Sequence, residues 1–117
     1  MELDRADIFG EEALAEPVEP LPVDPTKVLD EFEWAEPSSA LIKTGLWAEA
    51  YRTLPKQSED ADVNNNLGCV SAWLALTDDA YWPEALRALR LSRDKGDDVQ
   101  QPRAERNLDR VQRARGG

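Results

Sequence analysis

The chain has no histidine and only one cysteine and one methionine. Without histidine there can be no Ser-His-Asp triad, no Cys-His pair and no HExxH metal site. A lone cysteine likewise excludes CxxC ligation and any disulfide framework. Apolar runs are short, and none approaches the roughly 20 residues that cross a bilayer. The opening MELDRADIFGEE lacks the basic and then apolar pattern of a secretory signal. One thiol without a partner fits a reducing cytoplasm. Bases are scarce beside acids, 14 against 24, and a net charge of −10 disfavours binding to a phosphate backbone. With 117 residues there is room for one domain and a modest core. The expectation is a cytoplasmic, non-enzymatic protein with no catalytic residue, metal or cofactor. Its partners are expected to be proteins or peptides, not nucleic acid or membrane.

The charge is unevenly spread. Residues 1–37 hold twelve acids and two bases, whereas residues 38–117 hold twelve of each. All of the net charge therefore lies in the first third. Pro17, Pro20, Pro22 and Pro25 fall inside nine residues, PVEPLPVDP, which predicts an extended, polyproline-like stretch. Residues 1–23 have too little apolar content for their charge to build a core and are read as a disordered or extended acidic arm. Leu3, Ile8, Phe9, Ala13 and Leu14 form a small apolar cluster in that field. They are either part of a frayed terminus or a short linear motif that folds onto a partner, with Ile8, Phe9 and Leu14 as its candidate residues.

Residues 24–117 read as an all-α domain. Asp24-Pro25 has the pattern of an N-cap and a first helical proline, with Val28, Leu29 and Phe32 at helical spacing and Pro37 as the stop. Ser38 or Ser39 can cap a short helix that carries Leu41 and Ile42 and ends near Gly45. The next helix opens at Trp47 and runs through Leu54. Ser58, Asp60 and Asp62 are candidate caps for a longer helix carrying Val63, Leu67, Val70, Trp73 and Leu74. Thr77–Tyr81 is a turn. Trp82 to Lys95 forms an amphipathic helix, for which Gly96 is the expected stop just past the end. A last helix begins near Pro102, with Ala104, Leu108 and Val111 on one face. No segment alternates with period two for long enough to predict a sheet.

Two segments repeat. Trp47-Ala48-Glu49-Ala50-Tyr51-Arg52-Thr53-Leu54 aligns with Trp82-Pro83-Glu84-Ala85-Leu86-Arg87-Ala88-Leu89, sharing W-x-E-A-x-R-x-L at an offset of 35 residues. A period near 34 residues with two helices in each points to stacked helical hairpins. Here the chain resembles the tetratricopeptide repeat family. Asn66-Leu67-Gly68 is similar to the N-L-G of its first helix, and both W-x-E-A segments are similar to the opening of its second. The resemblance covers residues 38–115, about two repeats and a final helix. Thr77–Tyr81 is some five residues longer than the family spacing. An array of this size is at the lower limit of stability, so self-association into a homo-oligomer or binding to a partner can complete it.

In that family a concave groove binds peptides. Carried over, the resemblance places Asp62, Asn65, Asn66, Cys69, Ala72 and Trp73 near the groove from one helix, and Arg103, Arg106, Asn107 and Arg110 from the last. Asparagine can bond both the N–H and the C=O of a peptide, and arginine forks grip carboxylates. Some members clamp a terminal carboxylate. Asn66 and Arg103 match that clamp, Ala35 and Ser39 do not, and Asn107 stands where an arginine is expected. Asn66 is equally read as an inter-helix packing bond, Cys69 as a small buried residue, and Trp73 as either core or ligand-facing. Arg103, Arg106, Arg110 and Arg113 share one helix face. That face is either simply solvated or a dock for acidic peptide, and the acidic arm of residues 1–23 is one candidate to fold back on it. The functional expectation is a protein-interaction module, an adaptor or chaperone-like subunit whose arm is a second contact or an autoinhibitor. The alternative is an acidic inhibitor or immunity-type protein that neutralises a basic partner through residues 1–36.

Overall fold

The computed structural model describes residues 24–36 and 38–116. The acidic arm of residues 1–23, with Ile8, Phe9 and Leu14, lies outside the described residues, as do Pro37 and Gly117. Among the described residues every regular element is helical. The helices are α1 (Pro25–Leu29), α2 (Ala40–Lys43), α3 (Trp47–Thr53), α4 (Ala61–Ala75), α5 (Trp82–Lys95) and α6 (Gln100–Ala114), with a 3-10 turn at Asp79–Tyr81 before α5. None is long and apolar enough to cross a membrane.

Short side chains set most of the starts. Asp24 caps α1 by accepting from the Thr26 N–H, Ser39 caps α2 through the Ile42 N–H, and Asp60 caps α4 through the N–H groups of Asp62 and Val63. Gly45 turns the chain between α2 and α3 at φ 76°, a left-handed geometry that suits glycine. α6 begins two residues before the expected Pro102. Asp97 accepts from the N–H groups of Val99 and Gln100, both at 2.9 Å, while Gln100 Oε1 accepts from the Asp97 N–H at 2.9 Å. Pro102 is thus tolerated in the first turn, where its missing N–H leaves no bond unmade.

One expectation is borne out and one is corrected. Gly96 ends α5, and does so with an extended backbone, φ −86°. Crowding is what it relieves, because a Cβ there would meet Gln100 Cβ and the Ser92 carbonyl oxygen at 2.7 Å each. The helix expected to carry Phe32 ends at Leu29, although Phe32 is buried. Beyond it the backbone N–H groups of Glu33 and Ala35 bond to side chains of α6 and α4 instead of to their own turn.

The helices form hairpins in a short array: α2 against α3, α3 against α4, α4 against α5 and α5 against α6, with α1 lying across α6 and α4. The α4–α5 contact is the tightest. A Cβ on Gly68 would fall 2.5 Å from Leu89 Cγ and 3.0 Å from the Ala85 carbonyl oxygen, so glycine there lets two backbones approach. Ala50 and Ala85, the repeated alanines, are both fully buried. The tryptophans before them share a position but not a setting. Trp47 opens α3 and is sandwiched between Trp34 and Trp73. Trp82 opens α5 and borders a cleft of about 220 Å³ with Pro83, Leu86, Arg90 and Arg115. The extra residues before α5 bring Tyr81 edge-on to Tyr51, ring centres 5.3 Å apart.

The main core joins Val28, Leu29 and Phe32 to Cys69, Ala72, Leu86, Leu89, Leu108 and Val111. A second cluster centres on Ile42, Ala50 and Val70. Two buried serines differ in a testable way. Ser92 Oγ donates to the Ala61 carbonyl at 2.8 Å, tying α5 to the first turn of α4, whereas the Ser71 hydroxyl is buried with no partner among the described residues. Ser92→Ala is expected to cost about 1 kcal/mol in urea unfolding, and Ser71→Ala to be neutral or stabilising. Equal losses at both sites would contradict this account.

Candidate functional site

The side chains expected to line a groove do converge, but a segment of the same chain already lies among them. On α4 the residues Asp62, Asn65, Asn66, Cys69 and Trp73 are spaced three, one, three and four apart, which puts them on one face. On α6 Arg103, Arg106, Asn107 and Arg110 do the same. Residues 33–35 lie between the two helices outside any helix, and the N–H and C=O of Glu33, like those of Ala35, turn to the same side as they do in a strand.

Three asparagines hold the main chain of this segment. Asn66 Oδ1 accepts from the Ala35 N–H at 2.8 Å, and Asn66 Nδ2 donates to the Ala35 carbonyl at 3.1 Å. Asn107 Oδ1 accepts from the Glu33 N–H at 3.0 Å, and Asn107 Nδ2 donates to the Glu33 carbonyl at 2.9 Å. Asn65 Nδ2 donates to the same carbonyl at 2.9 Å. The amides also support one another: Asn107 Nδ2 donates to Asn65 Oδ1 at 2.8 Å, and Asn65 Nδ2 to Asn66 Oδ1 at 3.2 Å. Asn65 and Asn107 are fully buried. In that setting an amide side chain, with donor and acceptor 1 atom apart in the manner of a neighbouring strand, replaces the partners that water would give an extended backbone (about one bond for each group). Asn66 therefore bonds to peptide backbone, and the reading of it as an inter-helix bond is corrected.

Side chains of the segment are also recognised. Arg106 forks onto Glu33, with Nε to Oε2 at 2.6 Å and Nη2 to Oε1 at 2.7 Å, and Arg110 Nη1 adds a third bond at 2.9 Å. Arg110 and Arg113 also approach Glu31, at 4.0 and 3.9 Å. Trp34 stacks on Trp47 with centres 5.7 Å apart and planes 7° from parallel, and Trp47 stacks in turn on Trp73 at 4.9 Å. Phe32 meets the edge of Trp34.

The remaining expected residues have other roles. Arg103 does not touch the segment. It pairs with Asp62 at 2.6 Å, beside Gln100, and closes one end of the groove by tying α6 to α4. Cys69 is buried in the main core beneath α1, and that burial pushes its thiol well above the ordinary range. Trp73 belongs to the tryptophan stack, and its indole N–H has no partner among the described residues. The occupant itself, Glu33-Trp34-Ala35, was not foreseen. Its signal was the spacing of Phe32 and Trp34 by two residues, an extended period inside what reads as a helix.

The arginines hold the Glu33 carboxyl down to about 2, Arg106 first and Arg110 second, against some opposition from burial. A carboxyl with a lowered value in the folded state stabilises above its unfolded value, and that contribution is lost as the pH falls. Lowering the pH from about 5 to about 2 should therefore weaken the wild-type chain by about 1 to 2 kcal/mol through this group, after discounting for the screening of a partly exposed side chain. Glu33→Gln should remove that portion of the acid dependence. Urea midpoints measured against pH for both chains check it, and parallel curves would refute it.

Past Ala35 the groove opens into a cleft of about 420 Å³, with Ile42, Leu54 and Val63 as apolar lining and Glu36, Asp60 and Asp62 around them. Comparison with family models, with curated proteins and with solved structures finds no match to this chain.

Proposed function

We propose that this chain is a small, non-enzymatic protein-interaction module, similar in organisation to a tetratricopeptide array, whose α4–α6 groove binds an extended peptide segment. One observation carries the reading: Asn66 bonds both the N–H and the C=O of Ala35, and Asn107, helped by Asn65 at the carbonyl, bonds both of those groups of Glu33, an arrangement that suits any extended backbone. The segment 24–36 then acts as an internal occupant, and a partner gains the groove by replacing it. A reducing compartment suits a module whose one thiol is buried. The rival reading, an acidic inhibitor acting through residues 1–36, is weakened because Glu31 and Glu33 already face the chain's own arginines.

The test loosens the internal occupant in the full-length chain with Glu33→Ala and Trp34→Ala and titrates in a peptide of residues 24–36. Saturable binding that is lost on adding Asn66→Ala or Arg106→Glu is expected. Absence of binding, or binding indifferent to those groove changes, would count against the module.

A further inference from the structure

Main-chain bonds hold a peptide but do not choose one, so selectivity must come from the side-chain contacts of the occupant. We propose that the groove selects a partner segment with an apolar, an acidic and an aromatic residue in succession, and that residues 32–34 of this chain, Phe32-Glu33-Trp34, are its own copy of that signal. The proposal rests on the interaction reading above and adds the chemistry of the partner.

Each position has its own reader. The apolar residue enters the main core beside α4 and α6, where Phe32 is buried with Val28 and Leu29 of the preceding turn. The acidic residue meets a planar fork, since Arg106 uses two nitrogens on the two carboxylate oxygens and Arg110 adds a third. That geometry fits a carboxylate and wastes donors on an amide. The aromatic residue completes a stack that Trp73 and Trp47 have already begun. Stacking prefers a flat ring, so an aliphatic residue loses the face-to-face contact. The order matters too. Alternate residues of an extended chain point to opposite sides. Phe32 and Trp34 can therefore go together to the aromatic side while Glu33 goes to the arginines.

Competition follows from covalent attachment. A segment joined to α2 through only Glu36 to Ser39 is present at an effective concentration on the order of millimolar. A partner lacking one of the three features cannot overcome it, which gives the groove its threshold.

The experiment uses full-length chain carrying Glu33→Gln, which weakens the occupant while leaving its apolar and aromatic contacts, and also unaltered chain at high peptide concentration. Binding to both is followed by tryptophan fluorescence and by peptide-induced change in hydrogen exchange. Four peptides of residues 24–36 are compared: the natural sequence, one with glutamine and one with lysine at position 33, and one with alanine at position 34. The natural peptide should bind the Glu33→Gln chain at least about tenfold more tightly than either the glutamine or the alanine peptide, with the lysine peptide weaker still. Raising the salt should narrow the gap between the natural and glutamine peptides and leave the alanine deficit in place. Similar binding of all four peptides would overturn the selection while leaving the peptide groove standing. Failure of every peptide on both chains would overturn the groove reading and the selection together.

Discussion

Asn107→Leu should lower the stability of the chain by about 3 kcal/mol, because the half-buried Glu33 N–H and the buried Asn65 Oδ1 each lose the one partner they have among the described residues, at about 1 to 3 kcal/mol apiece. The two side chains have the same number of heavy atoms and the same branching at Cγ, but leucine is bulkier, so overpacking at this fully buried position adds to the chemical loss. The Glu33 N–H would have nothing to donate to, and Asn65 Oδ1 would lose its donor. The Glu33 carbonyl would keep its bond from Asn65, and Arg110 would keep its one bond to Glu33 while losing the one to Oδ1 of residue 107. Since domains have only about 5 to 15 kcal/mol in total, a loss of that size takes a large share of the margin of a small one. Urea unfolding followed by the near-ultraviolet signal of the stacked tryptophans reports both the global change and the release of Trp34 from Trp47. A midpoint close to that of the wild type would mean that the amide network is dispensable, and the groove account would fail with it.

Gly68→Ala should be the other large effect, and its sign is the informative part. On helix propensity alone, alanine in the middle of α4 would gain about 1 kcal/mol over glycine. Its methyl group would nonetheless sit 2.5 Å from Leu89 Cγ and 3.0 Å from the Ala85 carbonyl oxygen. A backbone oxygen in the first turn of α5 cannot swing aside as a side-chain tip can, so α4 and α5 must separate. Overpacking of this kind costs about 3 kcal/mol at its upper range, leaving a net loss of about 2 kcal/mol. A double-mutant cycle with Leu89→Ala sharpens the test. Leu89 is fully buried, and its truncation alone should cost about 2 to 5 kcal/mol. Because the added methyl fills part of the space that Leu89 vacates, the pair should lose less than the two single losses together. Strict additivity, or a stabilised Gly68→Ala chain, would show that the two helices are not in the close contact described.

Much of the architecture was legible along the chain. Asp24, Ser39 and Asp60 were named as candidate caps, and each caps a helix. The break at Gly45 and the W-x-E-A recurrence placed the starts of α3 and α5 correctly, and Ala50 and Ala85 are fully buried. The groove residues were named as a set from the tetratricopeptide resemblance, and helical spacing puts Asn65, Asn66 and Cys69 on one face of α4, and Arg106, Asn107 and Arg110 on one face of α6. Their individual roles were not legible. Arg103 and Arg106 lie one turn apart with the same chemistry, yet one joins two helices and the other grips Glu33. Which of the two does which depends on where Asp62 and Glu33 lie in space.

The sequence by itself determined the helix starts, the breaks and the faces, because capping and helical periodicity act within three or four residues. Only the tertiary structure decided that Phe32 to Ala35 leave the helical pattern and fill the groove. The bonds that draw Glu33 and Ala35 away come from Asn66, 31 residues further along the chain, and from Asn107, 74 residues further along. Distances of that order in sequence become contacts only when α4, α5 and α6 have packed.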